Sequence, residues 1–259
     1  MKRIIAFLLI LLMVFGAAEA FAETWTCPAC GKTGNDGQFC PNCGSAKPSA
    51  SASTDIRIGD YVYLGHWEQN NNAGDGAEKI RWLVMDVDGE KLFLLSEKAL
   101  ANRPFNKSSD GSAWGKCSLR KWLNNDFYNG AFSTQEAAAI KTTKVIDNAE
   151  HSYSGFNTAS RFSGTTKDKV FLLSFLELCT YLSMETALCE PTATVYQQNT
   201  RIEGVKSNGT IYCWWWLRTS AYKNNAMVMT SGGYSSAYEH YNQVCVRPAL
   251  WVDASVVTQ

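Results

Sequence analysis

The sequence predicts an α+β domain preceded by a small metal-dependent module. Three observations carry the prediction. Strand-like apolar patterns open the domain at Ile56–Leu64, Ile80–Val87 and Lys91–Ser96, helix signals occupy its middle, and strands return after Asn208-Gly209 and run to the end. Helices set between two blocks of strands, instead of alternating with single strands, indicate α+β and not α/β repeats. The third observation is a pair of CxxC knuckles ahead of the domain, in a stretch too short to bury a core of its own.

The chain has 259 residues, 46% hydrophobic and 19% charged, which suits a soluble globular protein with one full core and a small satellite. Its 24 basic side chains balance its 24 acidic ones. Zero net charge removes the broad attraction on which non-specific nucleic-acid binding depends, and the steering towards anionic membranes. Nucleic acid is therefore not an expected partner. Nine tryptophans and eleven tyrosines supply large contact areas with polar tips, suited to cores and to recognition surfaces alike.

Residues 1–22 read as an export signal: Lys2 and Arg3, then an apolar run from Ile4 to Ala18, then the A-x-A site Ala20-Phe21-Ala22. The apolar run is about 15 residues, short of the roughly 20 that cross a bilayer. The expected location is secreted or cell-envelope, with membrane contact only if the signal stays uncleaved. Residues 23–45 follow with Cys27-Pro-Ala-Cys30-Gly31 and Cys40-Pro-Asn-Cys43-Gly44. Each knuckle directs two thiolates at one metal, and the glycine permits the turn. Four cysteine ligands, Cys27, Cys30, Cys40 and Cys43, close the coordination sphere, so the reading is a zinc ribbon with a structural zinc ion. An oxidising compartment favours disulfides instead, but CxxC spacing suits a metal better. Residues 46–55, small and polar, read as a flexible linker, and 56–259 as the folded domain.

Within that domain Asp88-Gly89 marks a hairpin between the second and third strands, and Glu68–Glu78 is a polar loop. Asp75 and Glu78 in that loop lack the spacing of an EF-hand, so a solvated loop is expected. Ser118–Tyr128 reads as a helix with an apolar stripe of Leu119, Trp122, Leu123 and Phe127. Ser133 with Glu136, and Ser174 with Glu177, are capping boxes opening helices to Lys141 and to about Met184. Asp147–Lys167 reads as loop, Lys169–Leu173 as a strand, and Pro191–Arg201 as a short helix.

Four ordered motifs, Ser118-Leu-Arg-Lys-Trp-Leu-Asn124, Asp168-Lys-Val-Phe-Leu-Leu-Ser174, Trp214-Trp-Trp-Leu-Arg218 and Val246-Arg-Pro-Ala-Leu-Trp251, resemble a family of bacterial domains of unknown function. Such domains occur in exported proteins of gut Firmicutes. Ile58-Gly-Asp-Tyr-Val-Tyr63, Gly65-His-Trp-Glu68 and Arg81-Trp-Leu-Val84 are similar too, so the resemblance spans about Ile56 to Val252. It implies a C-type-lectin-like domain of the formylglycine-generating-enzyme type, with Val246-Arg247-Pro248 in place of that fold's closing GFR-like signature. The same fold serves the variable proteins of diversity-generating retroelements, whose diversified C-terminal segment Tyr222–Gln243 resembles in position and composition.

The resemblance carries a fold without an activity, so sites are weighed residue by residue. Tyr222, Asn224, Asn225, Tyr234, Tyr238, His240, Tyr241 and Asn242 have the composition of a paratope: rigid amphipathic rings beside adaptable hydrogen-bonding groups. They are the expected ligand-binding residues, for a glycan, peptide or protein outside the cytoplasm. Trp214, Trp215 and Trp216 cannot all face one way along a strand and are expected in the core. Arg218 and Arg247 are expected to pair with a buried carboxylate such as Asp60, Asp86 or Asp126. No catalytic residue is assigned: the histidines are His66, His151 and His240, and the chain has no nucleophile elbow, P-loop or HExxH. The alternatives to a non-catalytic binder are a metal- or cysteine-dependent oxidoreductase resembling the formylglycine-generating enzymes, and a structural envelope module. Cys117, Cys179, Cys189, Cys213 and Cys245 are the oxidoreductase candidates, and Cys213 and Cys245 bridge if their strands pair.

Overall fold

A computed structural model describes residues 24–27, 29–35, 37, 39–45, 56–108, 113–148, 150, 162–198, 202–221 and 224–259. The expected export signal and linker lie outside the described residues. The chain divides into two compact units, residues 1–54 and 55–259, and the division falls inside the expected linker.

In the first unit the two knuckles fold alike. Gly31 N–H donates to Cys27 O (2.9 Å) and Gly44 N–H to Cys40 O (2.8 Å). Both glycines sit at positive φ, 71° and 72°, where a Cβ is disfavoured. An antiparallel bridge between Trp25 and Asn35 ties the first knuckle to the chain that follows it.

The second unit is mixed α+β, mostly strand. Strands β1 (Tyr61–Trp67), β2 (Glu78–Asp88), β3 (Lys91–Ser96) and β13 (Ala249–Asp253) form a four-stranded antiparallel sheet in that order. Gly89, at φ 60°, makes the tight β2–β3 turn that Asp88-Gly89 predicts. β3 lies between two partners and is buried along Leu92–Ser96. Its Phe93 ring stacks on Trp251 of β13 at 5.0 Å.

A five-stranded sheet takes the order β11 (Gly233–Tyr238), β10 (Asn225–Thr230), β9 (Trp215–Ser220), β12 (Cys245–Val246), β4 (Ala101–Asn102). β9 is buried throughout, and Trp215 and Trp216 lie in the core as expected. Their indole N–H groups reach Ala187 O (3.0 Å) and Arg103 O (2.8 Å), so neither ring buries an unpaired donor. Trp214 precedes the strand and packs against the core only in part. Two small hairpins complete the strands: β5 (Thr143–Asp147) with β6 (Gly164–Asp168), and β7 (Gly204–Ser207) with β8 (Thr210–Cys213). Asn208 and Gly209, both at positive φ, turn the second.

The helix from Ser118 is continuous to Ala131, as α1 (Ser118–Trp122), a π-helical turn (Leu123–Phe127) and α2 (Tyr128–Ala131). The extra residue of the π turn brings Phe127 onto the buried stripe with Leu119, Trp122 and Leu123. Asn124 on this turn receives Lys169 N–H (2.7 Å) and donates to Val170 O (2.9 Å), fixing the helix to the chain that follows β6. Both capping boxes form, opening α3 (Thr134–Ala139) and α4 (Phe175–Tyr181). A third, on Ser183 and Thr186, opens α5 (Met184–Ala187), and α6 (Ala193–Gln198) lies within the expected 191–201 stretch.

Two sequence expectations are corrected. The polar stretch Gly164–Asp168 is a strand, not loop, because β5 supplies its ladder and Asp168 is buried under bonds from Trp114, Thr166 and Arg120. The apolar run Lys169–Leu173 is no ladder strand. Its backbone is satisfied piecemeal, by a single bridge from Phe171 to Ala249, by Asn124 and by Arg218.

Candidate functional site

In the first unit the sulfurs of Cys27, Cys30, Cys40 and Cys43 all lie within 4.8 Å of one another. Cys27 Sγ is 3.5 Å from Cys43 Sγ, and Cys30 Sγ is 3.6 Å from Cys40 Sγ. A tetrahedral site with metal–sulfur bonds of ~2.3 Å has sulfur–sulfur edges of ~3.8 Å, so these four thiols can hold a metal ion. The ligands are electrostatically unequal. Hydrogen bonding from Ser45 brings the Cys43 thiol down to about 6, while burial pushes Cys40 up to about 11. The side-chain hydrogen bond of Asn42 lowers Cys30.

The C-terminal residues expected to bind a ligand divide. Alternation along the end of β11 and the turn after it points Tyr238 and His240 outward and buries Glu239 between them. Tyr241 returns beside them through its N–H bond to Tyr238 O (2.9 Å). The three rings form a cluster with centroids 5.4 to 5.8 Å apart, and Tyr238 and Tyr241 keep 47% and 37% of their surface exposed. Asn225 faces Tyr238 across the β10–β11 ladder and bonds Ser236 Oγ (3.4 Å). Asn224 receives the Glu239 N–H on its carbonyl (3.0 Å), and Asn242 is exposed just beyond Tyr241. Tyr234 stands four residues earlier on β11, about 14 Å away at ~3.4 Å per residue. Its ring packs edge-on against Phe175 at 4.7 Å. Tyr222 lies outside the described residues. The structure thus gathers Tyr238, His240 and Tyr241, with Asn225 beside them, and separates Tyr234.

Tyr238, His240 and Tyr241 form one contiguous face. Its chemistry is that of flat aromatic surface with hydroxyl, imidazole and amide groups at the margin. Such a surface stacks on sugar rings or apolar side chains and hydrogen-bonds their polar edges.

Of the two buried arginines, Arg218 pairs with a carboxylate as expected, though with Glu177, and the expectation for Arg247 is corrected. Arg218, fully buried, donates two hydrogen bonds to the Glu177 carboxylate and one each to Leu172 O (2.8 Å) and Ile146 O (3.0 Å). Arg247 meets carbonyls instead of a carboxylate: Nε donates to Ser96 O (2.9 Å) and Nη1 to Thr186 O (3.0 Å). Asp60 and Asp86 are occupied elsewhere, by the Arg57 N–H and the Tyr181 hydroxyl. Asp126 is exposed on the π turn.

All nine cysteines are free. Cys213 and Cys245 are not bridged: Cys245 aligns with Trp215 of β9, while Cys213 ends β8 and donates to Cys189 O (3.4 Å). Cys189, Cys213 and Cys245 are neighbours in the core rather than in an open cleft. Burial drives Cys213 well up and the isolated Cys117 to about 12, so both stay thiols. His66 is exposed on β1, and His151 lies outside the described residues. Glu68, Asp75 and Glu78 come together in the β1–β2 loop, where Glu68 already accepts from the Asn72 N–H and the Thr194 hydroxyl, Asp75 from the Asn70 and Asn72 side chains, and Glu78 from the Asn70 side chain and the Gln69 N–H. No helix among the described residues is long and apolar enough to cross a membrane.

The sequence model of one family, described as "Domain of unknown function (DUF6273)", matches residues 89–254, more than half of the chain. No curated protein and no solved structure matches the chain.

Proposed function

The chain belongs to the DUF6273 family of domains of unknown function, and we propose that it is an exported, non-catalytic binding protein. It recognises a glycan, peptide or protein ligand through the Tyr238–His240–Tyr241 face. The observation that carries this reading is the aromatic cluster itself: three contiguous rings held in solvent at the end of an edge hairpin. Large rings in that position expose apolar area with no folding benefit, which is the usual mark of a contact surface. Buried Glu239 beneath them and the fully paired β10–β11 ladder keep the face rigid, so ordering costs on binding are small.

The four-cysteine cluster is read as a structural zinc site, because four thiolates leave no position open for a reacting water. The domain is read as C-type-lectin-like, with binding loops at its C-terminal end and the tryptophans of β9 as framework. Glycan and peptide arrays probed with the wild type and with a Tyr238→Ala/Tyr241→Ala variant test the function. Array hits that disappear with the variant support it; hits that persist unchanged remove the face as the site.

A further inference from the structure

We propose that the cavity beside α5 binds a small zwitterion of the α-amino-acid class, with Arg247 as the anchor for its carboxylate. Arg247 is 3% exposed and lines a cavity of about 270 Å³. Three carbonyls fix its guanidinium plane: Ser96 O (2.9 Å) on Nε, with Thr186 O (3.0 Å) and Ala187 O (3.5 Å) on Nη1. The Trp215 ring lies 5.2 Å from its Cζ. Its Nη2 has no hydrogen-bond partner among the described residues. Nor is Nη2 sealed from solvent: the only such unsatisfied buried side-chain atoms among them are Asn35 Oδ1 and Ser220 Oγ. Nη2 is therefore the guanidinium nitrogen left to meet a ligand in the cavity that Arg247 lines.

The contrast with Arg218 is informative. Both are buried cations, but Arg218 has the Glu177 carboxylate and Arg247 has no carboxylate within ion-pair distance among the described residues. A buried, unpaired guanidinium whose orientation is already set by carbonyls is preorganised for an incoming carboxylate.

The other charges select what accompanies that carboxylate. Glu97 is paired with Arg81 (2.5 Å) and Glu190 with Lys98 (3.1 Å), so both pairs are neutral. Glu185 is exposed on the first turn of α5, lines the cavity, and has no ion pair among the described residues. What remains is one cation in the wall and one anion at the exposed rim. A dianion such as phosphate carries one charge more than Arg247 neutralises and faces the unpaired Glu185 at the rim, and a neutral sugar leaves Arg247 unpaired. A ligand with its carboxylate inward and an ammonium outward satisfies both ends. Tyr61 and Tyr212 contribute ring surface for an aliphatic side chain. At ~30 Å³ per water the space holds about nine heavy atoms, the size of one aliphatic amino acid.

The test is isothermal titration calorimetry of the full chain with glycine, L-alanine, L-leucine, propionate and inorganic phosphate. Saturable binding of at least one amino acid is expected, about tenfold tighter than propionate, with none for phosphate. Glu185→Gln, an exposed substitution that leaves the fold intact, should weaken the amino acid about tenfold and leave propionate unchanged. Arg247→Lys should abolish both; because this variant also removes carbonyl bonds, the Glu185→Gln result stands as the independent criterion. Absence of saturable amino-acid binding to the wild type up to about 10 mM overturns the proposal. So does binding that Glu185→Gln leaves untouched, or phosphate binding tighter than any amino acid.

Discussion

Replacing Glu177 with glutamine isolates one charge at the centre of the second unit. Glu177 receives two guanidinium bonds from Arg218 and the Ser174 N–H (2.9 Å) that completes the α4 capping box. Glutamine is an accepted N3 residue in a capping box, so the helix start survives the change. Arg218 keeps its charge but loses its counter-charge: its side chain is 1% exposed, and the amide offers one neutral oxygen where the carboxylate offered two charged ones. Removing one partner of a buried pair costs about 3–5 kcal/mol. The Glu177 side chain is 21% exposed, and Arg218 keeps its bonds to Ile146 O and Leu172 O. Both moderate the loss, and about 3 kcal/mol is expected. For a unit of this size that lowers Tm by roughly 6–12 °C, readable by differential scanning calorimetry at pH 7. The double variant Arg218→Met/Glu177→Gln should recover part of the loss, since it keeps the α4 cap and leaves no orphaned charge. A Glu177→Gln protein melting within about 1 °C of wild type would refute the role assigned to the pair.

Three further outcomes follow from single contacts. Gly65 sits at φ 69°, and a Cβ there would lie 2.6 Å from Phe132 Cδ1 and 2.7 Å from Ala131 O, so Gly65→Ala should lose about 2–4 kcal/mol in urea unfolding. Glu136 is pushed up by burial but held below the ordinary carboxylate value by the Gly65 and Ser133 N–H groups and the Ser133 hydroxyl. Its folded pKa lies below its unfolded one, so its stabilisation is present above the unfolded value near 4.5 and is lost as pH falls through the folded one. Glu136→Gln should therefore be less stable than wild type at pH 7, with the gap closing in acid; a gap constant from pH 7 to about pH 3 contradicts that sign. Chelation, or Cys30→Ser with Cys43→Ser, should release one metal per chain and leave the melt of the second unit in place. Cobalt substitution should give the visible bands of a tetrahedral thiolate site, and an octahedral spectrum would rule out the four-cysteine sphere.

What was legible in the sequence is what local spacing determines. The capping boxes at Ser133 and Ser174 form because serine and glutamate three residues apart meet within one helical turn. The turns form where Gly89, Asn208 and Gly209 reach positive φ cheaply. The π turn left a trace in the helix stripe: Phe127 falls eight residues after Leu119, while Asp126 at seven is exposed. Strand β6 was hidden because threonine, lysine and aspartate beside a glycine read as loop until β5 provides a ladder. The partners of Arg218 and Arg247 were hidden for a different reason. Glu177 is 41 residues from Arg218 in sequence, and only the folded chain reveals that Arg247 meets carbonyls alone. The candidate face was half legible: composition singled out the tyrosines, but only the register of β11 separates Tyr234 from the Tyr238 cluster.

The central claim, recognition through the Tyr238–His240–Tyr241 face, is tested most directly by one affinity ratio. The Kd of an array-identified ligand is measured by titration calorimetry for the wild type and for Tyr238→Ala. Truncating this exposed ring should leave Tm within about 2 °C, since surface changes stay near 0.5 kcal/mol. The same change should weaken binding at least tenfold, the loss typical of an aromatic anchor. Equal affinity in the two proteins, at equal Tm, would contradict it.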